Sequence, residues 1–115
     1  MQIRRTGPIV DFELDELKRE FLAEAEDKVR EIEQMLEAGR DSATLDRLAY
    51  LAHQLKGAGG SYGYERISSE SAAIEKAVER MARGETDDGI EARIQQHVVN
   101  LREEVQRGAR ELAPR

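Results

Sequence analysis

Leu45-Asp46-Arg47-Leu48-Ala49-Tyr50-Leu51-Ala52-His53-Gln54-Leu55-Lys56-Gly57-Ala58-Gly59-Gly60-Ser61-Tyr62-Gly63 holds two patterns at once. Leu45, Leu48, Ala49, Ala52 and Leu55 recur at about one helical turn, the apolar stripe of an amphipathic helix. Asp41 and Ser42, just before it, offer an N-cap. From His53 onward, one imidazole and one ammonium stand a helical step apart, with almost nothing bulky after them.

At about 100° per residue, the stripe Leu45, Leu48, Ala52, Leu55 and Gly59 spans about 80°, and His53 lies roughly 120° from its centre. The imidazole is therefore expected to face solvent. Asp46, Tyr50, Gly57, Gly60 and Tyr64 fall near the same angle if the helix runs that far. Gly57, one turn beyond His53, leaves the space beside the ring open. Lys56, at i+3, lies between core and surface and can swing its ammonium toward a group on His53. Three helical glycines (Gly57, Gly59, Gly60) cost about 0.8–1 kcal/mol each relative to Ala, together close to 3 kcal/mol out of a typical stability of about 5–15 kcal/mol. Core packing accounts for Gly59, on the apolar stripe. It does not account for Gly57, opposite the core, whereas access by another protein does.

The same periodicity extends outward along the chain. Leu14, Leu17, Phe21, Ala25, Val29, Ile32 and Leu36 define a long first helix, with Asp11 as its cap and Gly39 as its stop. A third helix, from about Glu65 to Arg83, carries Ile67, Ser71, Ile74, Val78 and Met81 and ends at Gly84. A fourth, capped by Thr86-Asp87-Asp88, carries Ile90, Ile94, Val98, Leu101 and Val105. Residues 1–10, broken by Gly7-Pro8, read as a tail, and the residues through Pro114 as a fraying end. Four amphipathic helices with short connections predict an all-α domain over residues 11–112, an antiparallel up-down four-helix bundle.

Composition limits the functions open to such a bundle. With 115 residues, 37% of them charged, 39% hydrophobic and only 4% aromatic, the core must be aliphatic and single. A formal charge of -6 argues against nucleic acid as partner. The absence of cysteine excludes disulfides, thiolate chemistry and sulfur-ligated zinc. No apolar run approaches the roughly 20 residues that span a bilayer, and no apolar signal core follows the basic start, so a cytoplasmic protein is expected. Neither histidine has a Glu three residues before it, so the Glu-x-x-His pattern of bundle metal sites is missing and no metal is expected. His97 falls within the fourth helix's apolar stripe and reads as a boundary or core histidine. On spacing alone His53 reads first as an ordinary solvated residue, and Lys56 as one charge among many.

The segment from Leu51 to Gly63 resembles the signature of histidine-containing phosphotransfer (HPt) domains. It has the phosphorylated His (His53), an apolar residue at +2 (Leu55), Lys at +3 (Lys56), Gly at +4 (Gly57) and Gly at +10 (Gly63). Phe21-Leu22-Ala23-Glu24-Ala25 with Ile32 and Leu36 resembles the family's first bundle helix, and Ile74-Glu75 its third-helix pattern. The likeness runs over roughly residues 12 to 108. It implies His53 as phosphoacceptor through Nε2, Lys56 as neutraliser of the phosphoryl charge, and Glu75 as a residue that orients His53 through the other ring nitrogen. It also implies a docking face for a response-regulator receiver domain around Gly57, Gly60, Tyr50 and Tyr64. Gly63 reads as a turn residue after the second helix.

The resemblance implies a carrier rather than an enzyme. Phosphoryl transfer needs a nucleophile, in-line approach and charge neutralisation, usually by Mg²⁺. This chain offers the nucleophile and one lysine, with no Gly-rich nucleotide loop and no acidic metal cluster beside His53. The partner receiver is expected to bring its aspartate, its lysine and the Mg²⁺, with no cofactor resident on this chain. The expected role is a stand-alone, monomeric relay intermediate between receiver aspartates, or one charged by a histidine kinase or hybrid kinase. The alternative is a non-catalytic adaptor that binds and inhibits a kinase or receiver.

Overall fold

The computed structural model describes residues 11–85 and 87–112, except for the side chains of Asp11 and Phe12. The expected tail over residues 1–10, the cap by Asp11, the part of Thr86 in capping the fourth helix and the end beyond Leu112 lie outside the described residues. Four helices fill the description: α1 (Asp11–Ala38), α2 (Ser42–Ser61), α3 (Glu65–Ala82) and α4 (Ile90–Leu112). α1 packs on α2 and α4, and α3 packs on α2 and α4, with no packing across either diagonal. The chain thus traces the four corners of an up-down bundle, as its short connections require. None of the described helices is long and apolar enough to cross a membrane.

Local chemistry sets the helix ends. The Asp41 carboxylate caps α2, accepting the Thr44 N–H at 2.8 Å. α2 then runs straight through Gly57, Gly59 and Gly60 to Ser61. Gly63, at φ +84, lets the chain reverse. There the Tyr62 and Tyr64 N–H groups bond back to the Ala58 and Gly59 carbonyls at 3.0 and 2.8 Å, satisfying the last turn of α2. Ahead of α4, the Asp87 side chain accepts the Gly89 N–H at 3.0 Å.

The core is aliphatic. Ile32, Leu48, Ala52, Ile74, Ile94 and Leu101 have no measurable exposure, and Leu55, Ile67, Val78 and Val105 have almost none. Two residues of the hydrophobic core lie off the narrow stripes read from the sequence: Leu22 on α1 and Leu51 on α2. Each of these helices touches two neighbours, so its buried arc is wider than one stripe. Leu14 and Leu17 are only half-buried. Ser71 is wholly buried in α3, and its hydroxyl has no hydrogen-bond partner.

Two glycines draw helices together. A Cβ on Gly59 would lie 3.0 Å from Ile67 Cγ2 and 3.2 Å from the Ser68 backbone nitrogen, so α2 and α3 meet there backbone to side chain. A Cβ on Gly108 would lie 3.2 Å from both Leu22 and Tyr64. Gly57 differs: a Cβ there meets nothing within 4 Å. Gly59→Ala should therefore lower stability by about 1–3 kcal/mol through overpacking against α3, whereas Gly57→Ala should raise it by about 0.8–1 kcal/mol through helix propensity. Urea unfolding of the two variants beside wild type tests this, and equal effects would refute the distinction.

Candidate functional site

His53 stands on the outer face of α2 with its side chain 64% exposed, as the helical projection requires. The closeness of α2 and α3 at Gly59 sets what faces it. In α3, Ile74 points into the core with no exposure. Its neighbour Glu75, about 100° further round the helix, emerges at the edge of the α2–α3 seam, with its side chain only 14% exposed. One carboxylate oxygen of Glu75 lies 2.9 Å from His53 Nδ1. The other lies 2.8 Å from Lys56 Nζ. The carboxylate thus spans the imidazole and the ammonium that α2 presents a helical step apart.

Protonation follows from this geometry. Burial alone would raise the Glu75 carboxyl, but hydrogen bonds from Lys56 and His53, reinforced by their charges, outweigh it and hold it below its ordinary value. An ionised carboxylate only accepts, so the Nδ1 that faces it must carry the hydrogen. In the neutral ring the lone pair then belongs to Nε2, on an imidazole open to solvent. The arrangement is a positioned nitrogen nucleophile with a carboxylate behind it and a lysine beside it.

The remaining residues singled out in the sequence divide between two places. Gly57 and Gly60 are exposed on α2, and the space beside Gly57 is empty. Tyr50, 51% exposed, is the one large hydrophobic residue exposed to that degree among the described residues. Its hydroxyl accepts a hydrogen bond from Gln54 at 2.7 Å, and Arg47 lies over its ring at 5.4 Å. Tyr64 does not share this face. α2 stops at Ser61, so the helical angle that aligned Tyr64 with His53 no longer applies. Its ring instead stacks on Phe21 of α1, at 5.9 Å between centroids, and burial first, then Glu111 and Asp15, raises its phenol above the ordinary value.

His97 belongs to a different setting, on the α3–α4 side of the bundle. Its Nδ1 lies 2.7 Å from Glu70, whose carboxylate also receives Asn100 and Arg66, each at 3.4 Å. One third of its side chain is exposed, which makes it a boundary histidine. Among the described residues there is no group of three or more His, Cys, Asp or Glu placed to hold a metal ion.

Several neighbours of the site are not legible from spacing. The Ser68 hydroxyl of α3 donates to the Lys56 carbonyl at 2.9 Å, tying the glycine-rich end of α2 to α3. Beside His53 the α2–α3 groove continues over Leu45, Ala49, Val78 and Ala82, edged by Asp46 and Glu79. The only sequence signal for Ser68 is that it follows the buried Ile67, which does not specify a bond.

The family model for the Hpt domain matches residues 16–107, most of the chain. Comparison with curated proteins and with solved structures found no match.

Two outcomes follow from the shared carboxylate. The Nδ1–H form of His53 should dominate in ¹⁵N NMR of the neutral ring, and Glu75→Ala should shift it toward the Nε2–H form. An unchanged tautomer ratio would contradict the assignment. Because the Glu75 value is depressed in the fold, its pairing stabilises the protein fully above the ordinary carboxyl value of 4.5 and is lost as pH falls through the lowered value. Between those limits, wild type should lose stability with acid more steeply than Glu75→Gln, which urea unfolding at stepped pH would show.

Proposed function

We propose, because this chain belongs to the Hpt-domain family, that His53 is its phosphoacceptor in a two-component phosphorelay. Hpt domains serve phosphotransfer in two-component systems as phosphocarriers. The observation that carries the residue assignment is the Glu75 carboxylate bridging His53 Nδ1 and Lys56 Nζ. It leaves Nε2 as the nucleophilic nitrogen on an exposed ring.

In the proposed reaction, Nε2 attacks the phosphorus of a receiver's aspartyl phosphate in line. The P–N bond forms as the P–O bond breaks, and the aspartate carboxylate leaves. Nδ1 keeps its proton, so the phosphorylated ring carries a positive charge, which the Glu75 carboxylate faces. Lys56, held by the same carboxylate, stands one helical step from His53, where its ammonium can swing to offset charge on the phosphoryl oxygens. The receiver supplies Mg²⁺ and its own lysine, and the reverse reaction passes the group to a second aspartate. A histidine kinase or hybrid kinase is the alternative donor. The four helices close one core among themselves, which supports a domain that folds as a monomer; in this reading it serves as a free-standing cytoplasmic relay intermediate.

Gly57 and Gly60 give this reading its steric side. A receiver must bring its aspartate within bonding distance of Nε2, and the empty space beside Gly57 leaves room for that approach.

With phosphorylated receiver domains from the same genome, wild type should take up acid-labile, alkali-stable label and His53→Gln none. Label on both proteins, or on neither while receivers still bind, would overturn the assignment, and the second result would favour an adaptor. Gly57→Gln should keep the fold and slow receiver-dependent transfer about tenfold or more, about 1.4 kcal/mol in the barrier. Unchanged rates would remove the access argument.

A further inference from the structure

α3 sorts its charges by side. Glu75 and Glu79, one turn apart, face the α2 groove, whereas Lys76 and Arg80, also one turn apart, line the α4 groove with Arg93 and His97. The α2–α3 groove runs from His53 toward the start of α2. Its floor is aliphatic, built from Leu45, Ala49, Val78 and Ala82, with Tyr50 beside His53 on the α2 wall. Asp46 on one rim and Glu79 on the other are both exposed, and neither has a salt bridge among the described residues.

The cations on the flanking turns make their ion pairs elsewhere. Arg47, next to Asp46 in the chain, turns to α1, where it makes paired hydrogen bonds with Glu31 at 2.7 and 3.1 Å. Arg83, one turn past Glu79, makes its hydrogen bond with Glu85 at 2.9 Å and feels the Glu79 charge only as a weaker, unbonded attraction. Lys56 is held on Glu75. The groove beside His53 is therefore apolar along its floor and anionic along both edges, although the chain has eighteen Lys and Arg residues.

We propose that Asp46 and Glu79 select the receiver that docks at His53: the helix seated in this groove has an apolar ridge flanked by Lys or Arg side chains that meet these two rim acids. The proposal rests on the phosphocarrier reading of His53 and adds to it the feature that selects among receivers. Continuity places the groove: it begins at His53, so a helix lying in it brings the rest of its domain over Nε2. Charge complementarity defines the occupant. A receiver whose docking helix has acidic flanks would put like charges against both rims and be rejected. Tyr50 supplies the aromatic anchor, held by Gln54 and Arg47 before any partner arrives.

The test is binding of a panel of receiver domains from the same genome to two full-length proteins, His53→Gln and the triple variant His53→Gln/Asp46→Lys/Glu79→Lys, at low and high salt. The shared His53→Gln change removes chemistry from the measurement. For the tightest receiver, reversal of both rim charges should weaken Kd about tenfold or more at low salt, and added salt should then narrow the difference between the two proteins, because it screens attraction in one and repulsion in the other. Exchange of the receiver's flanking Lys or Arg for Glu should restore affinity to the reversed protein. Equal affinity and equal salt dependence for both proteins would overturn the proposal, as would a preference for receivers with acidic docking helices. Parallel labelling of the protein with His53 intact separates the two readings. Transfer with charge-insensitive binding leaves the carrier and removes the groove, whereas charge-sensitive binding without transfer keeps the groove and removes the carrier.

Discussion

The approach of α2 to α3 at Gly59 is the constraint on which the site depends. With no side chain at that position, Ile67 and the Ser68 backbone come within van der Waals distance of α2, and the Ser68 hydroxyl ties onto the Lys56 carbonyl. Only with the helices that close does a carboxylate on α3 reach an imidazole on α2. A wider seam would leave Glu75 solvated and His53 free to rotate. The reactive geometry is thus a consequence of backbone packing two turns away from it.

Glu75 resolves an apparent conflict in how a nucleophilic histidine is held on a helix surface. Exposure lets a partner reach the ring, but an exposed side chain samples several rotamers and both tautomers. A single largely buried carboxylate fixes both for His53, because it accepts from Nδ1 while its other oxygen is anchored by Lys56. The paired donors also keep the carboxylate ionised despite burial. The lysine therefore serves the unphosphorylated state as a counterion of Glu75, and in the proposed reaction it is already beside the incoming phosphoryl group.

The bundle divides its surface by charge through α3, which borders two grooves of opposite character. The side toward α2 holds His53, an aliphatic floor and the exposed acids Asp46 and Glu79, and the side toward α4 holds cations and the His97–Glu70 pair. Both histidines have a carboxylate on Nδ1, and their surroundings distinguish them. His53 is nearly two-thirds exposed beside small residues, whereas His97 is one-third exposed at a packed boundary. A carboxylate–imidazole contact alone does not mark a phosphoacceptor.

The sequence by itself determined the four helices, their antiparallel order, the outward direction of His53 and the candidacy of Lys56, Gly57 and Glu75. Periodicity, caps and short connections are local, and a resemblance in the motif is read directly from residues. Tertiary structure decided what those residues meet. Nothing in the spacing states that Glu75 lies against His53, that Lys56 rests on Glu75, or that Gly59 and Gly57 are small for different reasons. Each of these depends on the distance between two helices. Tyr64 shows the limit most plainly: its place on the His53 face assumed that α2 continues, and the turn at Gly63 sent it to Phe21 instead. Leu22 and Leu51 lay off the narrow stripes because a helix with two neighbours buries a wider arc than periodicity alone describes.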